Sequence, residues 1–395
     1  MILEGDVKTH LRAFVHKCGR SEVFPYRDLK NSRCPEWGKD VLPCFEDPLS
    51  KPWPRQLPME THLRIIRQLA DGRLHSGEDL AQVLGISRAA VWKAVHKAGE
   101  VLELEVHVVR GRGYRLAEPI ELLDAERILG AIPPHNRHRI ARLELHEDID
   151  STNSYLMRAA QQGASSGTLC LAERQQAGRG RRGRAWVSPF GTNIYLSLLW
   201  CYPFGPAAFS GLSLAVGTAV ASVLEAEGVP EIGLKWPNDV LWQHRKLAGL
   251  LLEVVSEAQG PSRVVVGLGL NVRLHPTRAA EIDQPWVDLA AIAKPGTIDR
   301  NRLAARLAER LTQVMERYGT DGLDPFLPEW ERFDRYCGEP VEIRLADRTC
   351  SGLHAGVTPQ GALRLEKDGR IRTFQAGEVS LRPVATSILG NLRAL

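Results

Sequence analysis

Apolar and polar positions recur with different periods along this 395-residue chain, and the changes of period divide it. Residues 1–58 keep no period and hold seven of the 24 prolines, ending in the polyproline-like run Lys51 to Pro58. They read as a poorly patterned extension, with folding beginning near Met59. From Thr61 onward, Leu63, Ile66 and Ala70, flanked by Ile65 and Leu69, recur at helical spacing and stop at Gly72. Ser76 stands three residues before Asp79, a capping-box arrangement for a short helix carrying Leu80, Val83 and Leu84. Gly85 and Ile86 turn the chain to Ser87, which caps a third helix with Val91, Val95 and Ala98 on its inner face. Leu102, Leu104, Val106 and Val108 then alternate as a strand, Arg110 to Gly113 turns, and Tyr114 and Leu116 return.

Helix, glycine turn, helix and hairpin describe a winged helix-turn-helix over residues 59–118, its helix-turn-helix running from about Gly77 to His96. Arg88, Ala89, Trp92, Lys93 and His96 face outward on the third helix, and Arg110 and Arg112 sit at the hairpin tip, where a duplex would meet them. DNA binding is the reading these seven positions support, protein contact being the alternative use of such a fold.

Residues 119–335 carry alternating helix and strand signals. A linker helix is expected over Leu122 to Leu129, then a strand, Leu143 to Ile149, leading into Asp150-Ser151-Thr152-Asn153, whose side chains suit the start of a helix ending near Gln162. Strands follow at Thr168 to Ala172 and Asn193 to Trp200, and Ala207 to Glu227 is a long small-residue helix, with Gly211 and Gly217 for close packing on the sheet. Ile232 to Lys235, the turn Trp236-Pro237-Asn238, and the runs Lys246 to Glu253 and Arg263 to Asn271 read as hairpin-linked, hence antiparallel, strands. Residues 273–298 form a loop, read as mobile, and Asn301 to Tyr318 an amphipathic helix. Residues 336–395 give short strands with glycines at turn intervals, a small β-barrel.

Composition narrows the class. With 44% hydrophobic and 25% charged residues the chain is globular, and a net charge of +4 confines any nucleic-acid binding to a local patch. Residues 185–224 carry no charge, but Pro189, Pro203 and Pro206 cut them into a buried strand and a buried helix instead of a membrane span. No signal segment opens the chain, and the seven cysteines lack CxxC spacing. A reducing cytoplasm, no membrane partner, and neither a disulfide frame nor a protein-held metal are therefore expected.

The chemistry concentrates in Gln175-Gln176-Ala177-Gly178-Arg179-Gly180-Arg181-Arg182-Gly183-Arg184-Ala185-Trp186, four arginines and three glycines with no local carboxylate after Glu173 until Glu225. Glycines admit positive φ and close approach, and guanidinium groups bind carboxylate or phosphate. The G-x-G-x-x-G spacing alone would suggest a dinucleotide fold, but a turn at Ser188 to Gly191 and a strand follow where a helix is required. Ser151, Thr152 and Asn153 read as a helix cap, a role compatible with ligand contact at the exposed N–H groups. Lys235 ends a strand, where a sheet delivers side chains to a cleft.

With Ser151-Thr152-Asn153, the loop Gln175 to Trp186, Lys235-Trp236-Pro237-Asn238-Asp239 and Lys246-Leu247-Ala248-Gly249 together, the chain from Met59 onward resembles the bacterial biotin-protein ligases that double as biotin operon repressors. The resemblance implies an α+β chain: a winged helix, a mainly antiparallel central domain similar to class II aminoacyl-tRNA synthetases and lipoate ligases, and an SH3-like barrel. It implies that ATP with Mg2+ activates biotin to biotinyl-5'-AMP, and that the acyl group passes to a lysine of the biotin carboxyl carrier protein of acetyl-CoA carboxylase. It further implies repression at operator DNA by an adenylate-bound homodimer. Ser151, Thr152, Asn153, Gln175, Arg179, Gly180, Arg181 and Lys235 fall at the family's biotin and adenylate contacts, with Trp186 as a cover. Among them Arg179, Arg181 and Lys235 would carry the chemistry, and magnesium would ride on the phosphates. Trp92 and the run Lys97 to Glu100 depart from the family's recognition helix, and the 58-residue extension has no counterpart. Two alternatives from other classes are a DNA-binding biotin sensor with little ligase activity and a lipoate or octanoyl ligase.

Overall fold

The computed structural model describes residues 61–256, 261–274, 278, 280–293, 298–345, 348–376 and 380–383; the extension 1–58 and the tail 384–395 lie outside the described residues. Three helices, α1 (Thr61–Leu69), α2 (Gly77–Leu84) and α3 (Arg88–Leu102), and the hairpin β1 (Val106–Val109) and β2 (Gly113–Leu116) form the winged helix. Ser76 Oγ accepts from Asp79 N at 3.0 Å and Ser87 Oγ from Ala90 N at 3.2 Å, so both serines cap as read. Gly85 takes φ 67° to end α2.

Two expectations are corrected here. Val83 is 62% exposed, because the buried arc of α2 is centred on Leu80, Ala81 and Leu84. Leu102 belongs to α3, which runs unbroken through Gly99; Val91, Val95, Ala98 and Leu102 make one apolar stripe, and the strand starts only at Val106 after Glu103 in the left-handed region.

The linker expected to be helical from Leu122 is extended there. Asp124 caps α4 (Ala125–Ala131), its carboxylate accepting from Arg127 N at 2.8 Å. The central sheet has seven strands in the order β3-β4-β5-β9-β8-β7-β6: β3 (Arg142–Ile149), β4 (Thr168–Gln175), β5 (Ile194–Tyr202), β6 (Ile232–Lys235), β7 (Asp239–Trp242), β8 (Arg245–Ser256) and β9 (Ser262–Leu270). The sheet is mainly antiparallel, as expected, but β3 and β4 run parallel because α5 (Thr152–Gln161) crosses between them.

Period-two alternation separates the two faces of this sheet. Leu169, Leu171, Leu196, Leu198, Val264 and Val266 point to α6 (Leu212–Ala226) and α7 (Arg300–Asp321). Cys170, Leu199 and Val265 point to α5. The uncharged run resolves into β5 and α6, and eleven of the 15 residues of α6 are buried, so its apolar character is that of a core helix. Gly217 does meet the sheet, at Leu234 and Leu250; Gly211 (φ 82°) instead meets Leu323 and Gly361.

Beyond α8 (Leu327–Phe333), strands β10 (Pro340–Arg344), β11 (Thr349–Val357), β12 (Leu363–Lys367), β13 (Arg370–Phe374) and β14 (Ser380–Pro383) make a five-stranded antiparallel sheet in the order β13-β12-β11-β10-β14. No ladder closes β13 onto β14 among the described residues.

A buried polar joint ties the linker to the central domain. Arg300 donates to Glu173 Oε2 at 2.9 Å, to Asn193 O at 2.7 Å and to Glu121 O, while Glu173 Oε1 accepts from Leu123 N. Asn301 Nδ2 donates to Leu122 O at 3.0 Å and Asp124 N to Asn301 Oδ1 at 2.7 Å. Most of the polar atoms that this close approach removes from water find a partner, Arg300 Nε and Asn193 Nδ2 being the exceptions.

Candidate active site

The face of the sheet that carries α5 also carries a cavity of about 310 Å3. Gly249 on β8 and Gly267 and Gly269 on β9 stand where the alternation would put side chains, which leaves room for groups from elsewhere to rest on the sheet. A Cβ on Gly269 would fall 2.4 Å from the indole of Trp186, and one on Gly267 would fall 2.2 Å from Asn153 Oδ1. The three glycines are thus required by close approach of a ring and an amide.

All nine residues assigned to the ligand from sequence line this one cavity: Ser151, Thr152, Asn153, Gln175, Arg179, Gly180, Arg181, Trp186 and Lys235. Ser151 caps α5, its Oγ accepting from Ser154 N at 3.4 Å, so the cap reading holds and the N-terminus of α5 stands at the cavity wall. Gln175 Oε1 accepts from Thr152 N at 2.9 Å and Thr152 Oγ1 at 3.1 Å. Asn153 is engaged by the scaffold, donating to Glu253 Oε2 at 2.9 Å and accepting from Ser197 Oγ at 2.6 Å.

The arginine-glycine loop is folded on itself. Trp186 N donates to Gly178 O at 2.8 Å and Gly180 N to Arg184 O at 2.7 Å, with a tight turn at Arg181–Gly183 between them in which Arg182 takes φ 59°. Its glycines serve different ends. Gly183 alone takes positive φ, 71°, whereas a Cβ on Gly178 would strike Trp186 O at 2.5 Å and Gly180 has ordinary clearance. Arg179 meets Glu253 at 3.0 Å, and Arg181 donates to Asn238 Oδ1 at 3.1 Å and to Ala376 O in the C-terminal sheet domain.

The fold brings in three residues that the sequence did not assign, two of them, Asp239 and Lys246, standing within its motifs and the third, Arg382, outside them. Asp239 sits between Lys246 Nζ at 2.7 Å and Lys235 Nζ at 3.8 Å, and Arg382 enters the lining from β14. Burial pushes Asp239 up, but the charges of Lys246 and Lys235 outweigh it and hold the carboxyl below its ordinary value. Burial lowers both Lys235 and Arg181, with Asp239 opposing in each case. The missed signal was available: Asp239 starts β7 directly opposite Lys235, the last residue of β6. Lys246 Nζ also lies 5.3 Å from the Trp186 ring centroid. The expected loop 273–298 lends Glu281 to Trp286 to the wall, and it is anchored past that point by buried Val287 and Leu289.

The seven positions assigned to DNA are likewise exposed on α3 and the β1–β2 tip: Arg88, Ala89, Trp92, Lys93, His96, Arg110 and Arg112. Trp92, 52% exposed, lies against His96 with the rings tilted by 36° and their centroids 4.0 Å apart.

One His/Cys/Asp group lies elsewhere, Asp334, Cys337 and His354 at the junction with the C-terminal sheet. His354 Nδ1 accepts from Gly356 N at 2.9 Å, which puts the ring proton on Nε2, facing Asp334 Oδ2 at 3.5 Å. That tautomer has no lone pair left for an ion, so the group is a buried His–Asp pair and not a ligand set.

Residues 145–271 match the Biotin/lipoate A/B protein ligase family, 336–382 the Biotin protein ligase C terminal domain, and 61–115 an HTH domain. The bifunctional ligase/repressor BirA of Escherichia coli is 42% identical over 320 residues, 81% of this chain and 97% of that protein. The chain belongs to the biotin protein ligase family. Another relative of this ligase, a biotin--[acetyl-CoA-carboxylase] ligase of Mycobacterium tuberculosis, is 35% identical over 244 residues, 60% of this chain and 88% of the relative. Among solved structures, the biotin protein ligase from Aquifex aeolicus in complex with biotin and ATP is similar at TM-score 0.53 and 29% identity, over 62% of this chain and 100% of that one.

Proposed function

We propose that this ligase joins biotin to ATP, forming biotinyl-5'-AMP and releasing pyrophosphate, and passes the biotinyl group to the amine of a lysine on the biotin carboxyl carrier protein of acetyl-CoA carboxylase, releasing AMP. With the adenylate retained, it dimerises and represses the biotin operon from its winged helix. The observation that carries the enzymatic reading is the meeting of Arg181, Lys235 and Lys246 around one cavity, with the carboxylate of Asp239 set between the two lysines.

A carboxylate and a triphosphate repel each other, so the reaction needs cations that hold both and stabilise charge on phosphorus in the transition state. Arg179, Arg181 and Lys235 serve that end. Ser151, Thr152 and Gln175 supply neutral donors and acceptors suited to the uncharged ureido ring, with Asn153 and Gly180 alongside, and Trp186 covers it. Asp239 is held by two lysines, so the residues present fit a magnesium ion that arrives on the triphosphate oxygens more than one held by the protein. When bound, that ion would neutralise phosphate charge. The protein works in the cytoplasm without a membrane partner.

The test is incubation of the full chain with ATP, labelled biotin and a carrier domain. Label on the carrier lysine together with stoichiometric pyrophosphate is the expected result, and label on lipoyl domains instead would overturn the substrate assignment.

A further inference from the structure

Phe190, a residue of the central domain, is buried in the core of the winged helix, where it clusters with Leu63, Ile66, Leu69 and Leu116 at 2% exposure. It stands four residues beyond Trp186 on the same excursion that carries the arginine-glycine loop. The turn that presents it is held at both ends of that loop. Ser188 Oγ accepts from Gln175 Nε2 at 3.1 Å and donates to Trp186 O at 2.8 Å, and Gly191 N donates to Glu173 O at 3.0 Å. Tyr195 Oη and Thr192 Oγ1 both donate to Pro189 O, at 3.0 and 3.2 Å. Gly191, at φ 71°, leaves room for Ile120: a Cβ there would fall 2.5 Å from Ile120 Cγ2, and Ile120 N in turn donates to Ala70 O at 2.8 Å.

A second tie reaches the opposite wall of the cavity. Glu281 lines it, pairs with Arg278, and Arg278 pairs with Glu103 at the end of α3. Two of the segments that border the cavity are therefore fastened to the DNA-binding domain, one through an apolar plug and one through an ion-pair chain.

We infer that Phe190 is a positioning residue for the ligand-covering loop, and that the winged helix supplies its seat. The inference rests on the reading that this loop closes over biotinyl-adenylate. A loop whose downstream anchor is fixed in a second domain loses less freedom on closing over a ligand, so the adenylate is held longer. The same linkage makes adenylate occupancy and the placement of the winged helix mutually dependent, since coupling between two sites is reciprocal.

The experiment measures release of radiolabelled biotinyl-adenylate, formed in place from labelled biotin and ATP on the full chain and chased with unlabelled biotin. Phe190→Ala should release it about tenfold faster, and Phe190→Leu, which keeps most of the apolar volume, within about twofold of the unaltered chain. Glu103→Arg and Arg278→Glu should each speed release about threefold, and the doubly exchanged chain should return to within about twofold, because the pair is re-formed with its signs reversed. Should Phe190→Ala be poorly folded, Phe190→Val, which removes part of the apolar volume, should release the adenylate at a rate between those of the Ala and Leu variants, and release equal to that of the unaltered chain would overturn the inference equally. Unchanged release in Phe190→Ala, with only the melting of the winged helix lowered, would reduce Phe190 to a packing residue and overturn the inference while leaving the ligase reading intact. Failure of the unaltered chain to form any adenylate would overturn that reading itself.

Discussion

Replacing Arg300 by methionine, which keeps the length of the side chain and removes its charge, should destabilise the central domain severely. The Arg300 and Glu173 side chains are only 6% and 4% exposed, and the guanidinium satisfies Glu173 Oε2, Asn193 O and Glu121 O together. Arg300→Met leaves a buried carboxylate with the Leu123 N–H as its remaining partner. Breaking one side of a buried pair typically costs about 3–5 kcal/mol, mostly the cost of the stranded charge. At roughly 2–4 °C per kcal/mol for a domain of this size, the melting transition should fall by about 6–20 °C. Glu173→Gln in the same chain removes the stranded charge and still accepts the Leu123 N–H, so the double variant should recover at least half of the loss. Scanning calorimetry of the single and double variants reads this directly. A double variant no more stable than Arg300→Met, or an Arg300→Met loss under about 1 kcal/mol, would show that the joint behaves like a surface pair.

Arg181→Ala should slow pyrophosphate release by about 100- to 1000-fold, the usual scale for removing one charge-assisted contact at a transition state; an unchanged rate would remove Arg181 from the chemistry. Burial pushes Asp334 up to about 7. The native state therefore favours its neutral form, a contribution fully present below pH 3.8 and lost as pH rises through 7, and the melting-temperature advantage of Asp334→Asn over the unaltered chain should grow from pH 5 to pH 8; parallel curves would contradict it. Arg112→Ala at the wing tip should weaken operator binding about equally on all sequences and reduce the salt slope by about 1, without altering ligation, as anisotropy titrations at several salt concentrations would register.

Much of the local structure could be read from residue order, because caps and stripes are short-range. Ser76, Ser87 and Ser151 cap the helices they were assigned to, and Lys235 ends its strand facing a cleft. What escaped depends on distant partners. The strand assigned to Leu102 and Leu104 competed with a helical stripe that Leu102 completes, and only packing on α1 decides between the two periods. The parallel β3–β4 pair follows from the crossover of α5, which strand patterns do not reveal. Gly249, Gly267 and Gly269 look like strand weaknesses until Trp186 and Asn153 are seen resting on them. Glu173 and Arg300 lie 127 residues apart, and nothing in either neighbourhood marks them as partners. The nine cavity-lining residues named from sequence were legible mainly through their motifs, whereas Asp239 gained its place only when Lys235 and Lys246 closed around it.

The central claim is that one adenylate serves both the enzyme and the repressor. The direct measurement is fluorescence anisotropy of a labelled fragment of the protein's own biotin-operon promoter, followed while substrates are added in turn. Biotin with ATP should raise occupancy of the DNA. An excess of carrier domain should then lower it as the adenylate is consumed and the carrier lysine becomes biotinylated, while a carrier with that lysine replaced by arginine should leave it high. Occupancy indifferent to biotin and ATP, or one that survives complete biotinylation of the carrier, would contradict the account.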